Sequence, residues 1–212
     1  EGRLVDLSAE NFVRECSRNS PAPGGGSVSA LAAELGAALA SMVAALTFEK
    51  KGNWSLREEM ETLGNRAQEL AARLNQLVDA DTEAFNQVLA AQRLPSGNDT
   101  EKARKKAAVL AANKEAIHVP YQTLEAAWNV LELAGKLVEK GNPASVSDAG
   151  VAAEMALAAI HGAGMNVLIN LPGVSADPDF AREMKTAVGE RTEAAERVIR
   201  EVRAAVSSVI SS

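Results

Sequence analysis

Aromatic residues make up only 3% of this 212-residue chain, which also has a single cysteine and two histidines. One cysteine, Cys16, excludes an internal disulfide and suits a reducing compartment. His118 and His161 lie far apart, with no Cys or acidic residue at ligand spacing, so no metal site is expected. Excess positive charge is also missing. The net charge is −6 with Lys and Arg scattered among acids, which argues against nucleic acid as a partner. No basic stretch followed by an apolar run and a cleavage site is visible, so a cytoplasmic location is expected. Nor does any segment alternate β-branched residues with a period of two, so no strands are expected.

What the chain has instead is alanine, about one residue in five, within a 47% apolar composition. From Val28 to Phe48 only Glu34 is charged, about the length needed to cross a bilayer. The segment is mostly alanine, however, and its large residues (Leu31, Leu35, Leu39, Met42, Val43, Leu46) fall on one side. That pattern predicts a central helix buried by neighbouring helices, with no membrane partner.

Seven helices are expected. The first covers about residues 8–18, capped by Ser8, and the second runs from after Gly26 to about Lys51. The third opens on the capping-box pattern Ser55–Glu58 and continues to about Arg93. Asp99 or Thr100 caps a fourth, ending near Ala116. Pro120 opens a fifth, which stops around residues 139–143. "SVSD" (145–148) caps a sixth reaching about Ala163, which "NVLIN" (166–170) either extends or follows as a turn. After the loop at 171–179, Asp177-Pro178 opens the last. Short connections without a linker predict one domain over 1–212, an all-α bundle with long central antiparallel helices.

The third helix carries an inward stripe: Leu56, Met60, Leu63, Ala67, Leu70, Leu74, Leu77, then Asp81, then Ala84 and Val88. A carboxylate in a packing seam is costly unless partnered. Asp81 therefore either pairs with a cation from another helix or faces a pocket between helices. Asp79, two residues earlier, points to the other side of the helix and shares a flank with Glu83. The two aspartates of "DAD" therefore form no shared-proton pair.

Three glycines, Gly24, Gly25 and Gly26, precede Ser27 and the alanine-rich helix. They form either a turn capped by Ser27 or a cradle of bare N–H groups for a ligand. The Gly-Lys-Ser/Thr ending of a phosphate loop is missing. Lys50 and Lys51 close that helix, where they complement its dipole or receive an anionic substrate tail. Asn142, Ser147, Asp148, Asn166 and Asn170 interrupt apolar surroundings, as caps and loop anchors or as ligand contacts.

Taken in order, "SPAPGGGSVSALAAELGAALASMVAALTFEKK", "DADTEAF", "KGNPASVSDAGVAA" and "NVLINL" resemble the cyclodeaminase/cyclohydrolase family of folate one-carbon enzymes over nearly the whole chain. The resemblance implies an all-helical dimer or higher assembly that needs no metal or other cofactor. It implies as substrate a tetrahydrofolate derivative, with or without a polyglutamate tail, in one-carbon metabolism and histidine degradation. The matched positions are Pro21, Gly24, Gly25, Gly26, Ser27, Lys50, Lys51, Asp81, Asn142, Asp148, Asn166 and Asn170. Glu49 departs from the glycine common there. The implied reaction is cyclisation of 5-formiminotetrahydrofolate with loss of ammonia, with Asp81 as the proton-moving carboxylate and Asp79 as its alternate. Hydrolysis of methenyltetrahydrofolate is the alternative reaction. A folate-binding module without catalysis is the second alternative.

Overall fold

Helix α2, Gly25–Glu49, is the spine of the computed structural model, which describes residues 2–49 and 54–211. Around it lie α1 (Ala9–Cys16), α3 (Arg57–Gln92), α4 (Asp99–Lys140), α5 (Val146–Asn170) and α6 (Pro178–Ile210). All are helices, and no strand occurs among the described residues. Helix α2 packs on α3, α4 and α5, and α6 covers the far side of α4 and α5.

Small residues allow this closeness. Ala30, Ala33, Ala37, Ala40 and Ala44 of α2 and Ala149, Ala152, Ala153 and Ala156 of α5 are fully buried. At Gly36 a methyl group would meet the Ala152 carbonyl at 2.8 Å, so only glycine fits between these backbones. As expected, α2 is a central helix buried by its neighbours, but its large residues divide: Val43 is fully buried and Leu31 and Leu39 pack against the core, while Leu35, Met42 and Leu46 are 50%, 40% and 43% exposed. Close helix approach selects the alanine face, and Leu35, Met42 and Leu46 are left outside. Both α2 and α5 are long and apolar enough to span a membrane by length and composition, yet both are built into the bundle.

The α3 seam is as read from the sequence, with Met60, Leu63, Ala67, Leu70, Leu74, Leu77 and Ala84 buried. Two expected helices, however, are one. Helix α4 continues through Pro120, so there are six α-helices among the described residues rather than seven. Proline has no N–H to give the carbonyl four residues back, at Ala116. The Asn170 side chain donates to that carbonyl at 2.8 Å and repairs the ladder from α5. Residues 166–170 extend α5.

Cap expectations are corrected at three helices. A 3-10 turn precedes α3, and its N-cap Leu56 makes no side-chain bond, so the Ser55–Glu58 box does not close. Asn98, not Asp99 or Thr100, caps α4 by accepting from Glu101 N–H. The cap of α5, Ser145, makes no side-chain bond. Ser8 and Asp177 cap α1 and α6 as expected.

Candidate active site

The glycine run ends as the first turn of a helix. Gly24 is the cap, its carbonyl accepting from Val28 N–H at 3.1 Å, so the N–H groups of Gly25, Gly26 and Ser27 have no partner within α2. Asp81 reaches across from α3 and accepts from the Ser27 N–H at 3.1 Å. A carboxylate at the positive end of a helix is electrostatically well placed. Ser27 also donates its hydroxyl to the Val78 carbonyl at 2.7 Å, which fixes α2 against α3. The partner of Asp81 is thus a helix N-terminus rather than the buried cation that one reading required.

The glycines differ in what they permit. A methyl group on Gly26 would overlap the Asp81 carboxylate, so this position needs glycine for close approach. Gly25 is exposed, and a methyl group there would sit 3.1 Å from the Asn166 amide nitrogen. Asn166 donates to the Gly162 carbonyl at 2.8 Å. Gly25, Gly26, Ser27, Asp81 and Asn166 therefore converge at one end of the bundle. Burial pushes the Asp81 carboxyl above its ordinary range, opposed by hydrogen bonding from Ser27.

A groove of about 990 Å3 runs beside them, walled by the loop Asn19–Pro23, the N-terminal segment and the flank of α3. Pro21 lines it, as do Asp79 and Thr82, the residues bracketing Asp81. Asp79 is engaged elsewhere, accepting from Leu4 N–H, with Arg3 Nε 3.6 Å from its other oxygen. Reading the sequence missed Thr82, Phe85 and Asn86 on this wall. The signal was present: 79, 82, 83, 86 and 89 recur at helical spacing on one flank of α3. Thr82 Oγ1 lies 3.4 Å from Ser27 Oγ, which ties the wall to the glycine turn.

The remaining candidates are elsewhere. Asn142 donates its backbone N–H to Thr47 Oγ1 at 2.9 Å near the opposite end of α2, and its side chain accepts from Ala144 N–H. Asp148 stands in the first turn of α5 at that same end. Asn170 is committed to the Ala116 carbonyl. Lys50 and Lys51 lie outside the described residues. Among the described residues, no group of three or more His, Cys, Asp or Glu side chains could hold a metal ion.

A sequence profile of the formiminotransferase-cyclodeaminase family matches residues 8–190. The chain belongs to that family. A methenyltetrahydrofolate cyclohydrolase from Methylorubrum extorquens is 36% identical over 174 residues, 82% of this chain and 83% of that protein. The rat formimidoyltransferase-cyclodeaminase is 38% identical over 177 residues, 84% of this chain. The match spans 33% of that longer enzyme. The crystal structure of a formiminotetrahydrofolate cyclodeaminase from Thermotoga maritima superposes with a TM-score of 0.85 at 30% identity, covering 96% of this chain and 98% of that one. This formiminotransferase-cyclodeaminase family member therefore shares its helical fold with named enzymes, which disfavours a module without catalysis.

Proposed function

We propose that the protein is a 5-formiminotetrahydrofolate cyclodeaminase, and that Asp81 moves the proton. In this reaction N10 attacks the formimino carbon, the bond to the imino nitrogen breaks, ammonia leaves, and a cationic methenyl bridge joins N5 and N10. The observation that carries the reading is the Asp81 carboxylate, half-buried and held on the N-terminus of α2 by Ser27. A carboxyl whose proton affinity is raised by burial can take the proton from N10 and pass it to the departing nitrogen. Once ionised, it stabilises the amidinium charge that develops on the same carbon. The N–H groups that open α2, at Gly25 and Gly26, would hold a pterin or carboxylate oxygen in this reading. Asp79, already bonded to Leu4, becomes a groove wall and the alternate carboxylate.

The cyclodeaminase reading is supported by the near-complete superposition on a protein of that activity. The cyclohydrolase reading is favoured by one observation, the match to 83% of a methenyltetrahydrofolate cyclohydrolase. There the same carboxylate activates water against the same carbon. An absorbance assay with each folate separately decides between them. Turnover of the formimino substrate is expected, and methenyltetrahydrofolate hydrolysis alone would reassign the enzyme.

We further infer a cytoplasmic homodimer that uses no metal or other cofactor and accepts folates with or without a polyglutamate tail. Support for the dimer is the apolar outer face of α2 and α5, where Val28, Leu35, Met42 and Leu46 are joined by Val151, Met165 and Ile169. Light scattering at micromolar concentration should give twice the monomer mass.

A further inference from the structure

We infer that Phe85 and Asn86 form the pterin subsite: the ring of the folate stacks on the Phe85 face, and its lactam edge pairs with the Asn86 amide. This rests on the folate-enzyme reading above, and fixes where the flat end of the substrate lies relative to Asp81.

Almost every ring in this chain has a structural use. The chain holds four phenylalanines, two tryptophans and one tyrosine. Phe12 is in the core, and Phe48, Tyr121, Trp128 and Phe180 pack against it. Trp54 is exposed and carries the Arg57 guanidinium 4.6 Å from its ring centre. Phe85 belongs to none of these groups. It is half-buried, stands outside the core cluster, and lines the groove beside the glycine turn. Among the described residues it makes no ring–ring or cation–π contact. A ring placed in this way offers its face to a flat occupant of the groove.

Helical geometry then sets the distance to the reacting carbon. Phe85 is four residues beyond Asp81 on α3, so the two side chains share one face. Four residues rise about 6 Å. That is the scale of the offset between the pyrimidine ring of a pterin and the carbon that bridges N5 and N10. A pyrimidine ring over Phe85 therefore sets the bridge beside the Asp81 carboxylate.

The next position supplies the edge contact. Asn86 lines the same groove and stands about 100° further around the helix, so a ring lying on Phe85 turns its rim toward it. An amide carries an acceptor and a donor side by side, and a pterin lactam presents its N3–H and O4 in complementary order. Asn86 is exposed and its side chain makes no hydrogen bond among the described residues, so both groups are available. The carboxylates of the groove are less suitable. Asp79 is bonded to Leu4 and Glu15 is paired with Arg18. Glu83 lies about 200° around the helix from Phe85 and faces the other flank.

Tetrahydrofolate binding tests this without requiring turnover. Phe85→Leu keeps an apolar side chain and removes the ring face. Its melt should stay within a few degrees of wild type, because Phe85 is outside the core. Its Kd for tetrahydrofolate should rise at least about fivefold, as for a lost stacking contact. Phe85→Tyr should stay within about twofold of wild type, because either ring supplies a π face. Asn86→Ala should raise Kd about two- to tenfold. In Phe85→Trp, tetrahydrofolate should quench the added indole beyond the change seen in wild type, and this reading decides the matter if the leucine variant fails to fold. Wild-type Kd in folded Phe85→Leu, or no added quenching in Phe85→Trp, would overturn the stacking platform. Wild-type Kd in Asn86→Ala would overturn the edge contact. A wild-type protein that binds tetrahydrofolate but turns over neither folate would sink the enzymatic reading, and the Kd values would still decide the subsite. No tetrahydrofolate binding by wild type would overturn both.

Discussion

Asp81 of α3 serves as the capping carboxylate of α2, accepting the Ser27 N–H at 3.1 Å from a residue 54 positions away in sequence. The helix that begins with glycines is thus completed by a group from its neighbour, and the same group is the candidate catalyst. Structural and chemical roles coincide on one side chain, so substitutions must be chosen to separate them.

Asp81→Asn separates them best. The asparagine carbonyl still accepts from Ser27, and Asn and Asp cap helices about equally, so stability should change by less than about 1 kcal/mol. Proton transfer and charge are lost, and turnover should fall about 10²–10⁴-fold. Thermal melts and rates on one preparation check both. A stable variant with near-normal turnover would remove Asp81 from the mechanism.

The pH dependence of stability follows from the same residue. Burial raises its carboxyl above the ordinary 3.8, and the Ser27 hydrogen bonds only partly offset this. A group with a raised folded-state pKa binds its proton more tightly when folded. Its stabilisation is fully present below pH 3.8 and is lost as pH rises through the raised value. The stability of wild type relative to Asp81→Asn should therefore decline across that window and stay flat above it. Urea unfolding at a series of pH values measures the difference. A difference that grows with pH would mean that the Ser27 bonds outweigh burial.

The adjacent glycines should respond oppositely to alanine. Gly26→Ala drives a methyl group into the Asp81 carboxylate, and overpacking of this kind costs about 1–3 kcal/mol. Gly25→Ala meets only a movable amide at 3.1 Å and should leave the melting temperature nearly unchanged. Its methyl group would crowd the start of α2 beside Asn166, so folate Kd or KM should rise. Unchanged folate affinity in folded Gly25→Ala would reduce the glycine run to a turn.

Asn170 should behave as a structural partner of a proline. Asn170→Ala leaves the Ala116 carbonyl without its donor, at a cost of about 1–3 kcal/mol. In a Pro120→Ala background a backbone N–H returns to that carbonyl, and the cost of Asn170→Ala should shrink. A double-mutant cycle by denaturant unfolding reads the coupling. Equal costs in both backgrounds would return Asn170 to the list of substrate contacts.

The sequence by itself determined the helices and the α3 seam, because a buried stripe at helical period leaves little freedom in what it forms or which face it hides. Asp81 was conspicuous for the same reason: a charge in that stripe demands a partner. Three matters were decided only by tertiary structure. Pro120 reads as a helix start until a side chain 50 residues later supplies the missing donor. Which face of α2 is inside cannot be read from apolarity, because both faces are apolar. Backbone approach at Gly36 and the alanines decides it, and places Leu35 and Met42 outside. The partner of Asp81 is a backbone N–H, which every residue but proline carries and no side-chain pattern reveals. Local periodicity is written in neighbouring residues, whereas hydrogen bonds and close packing between distant segments exist only once the helices are side by side.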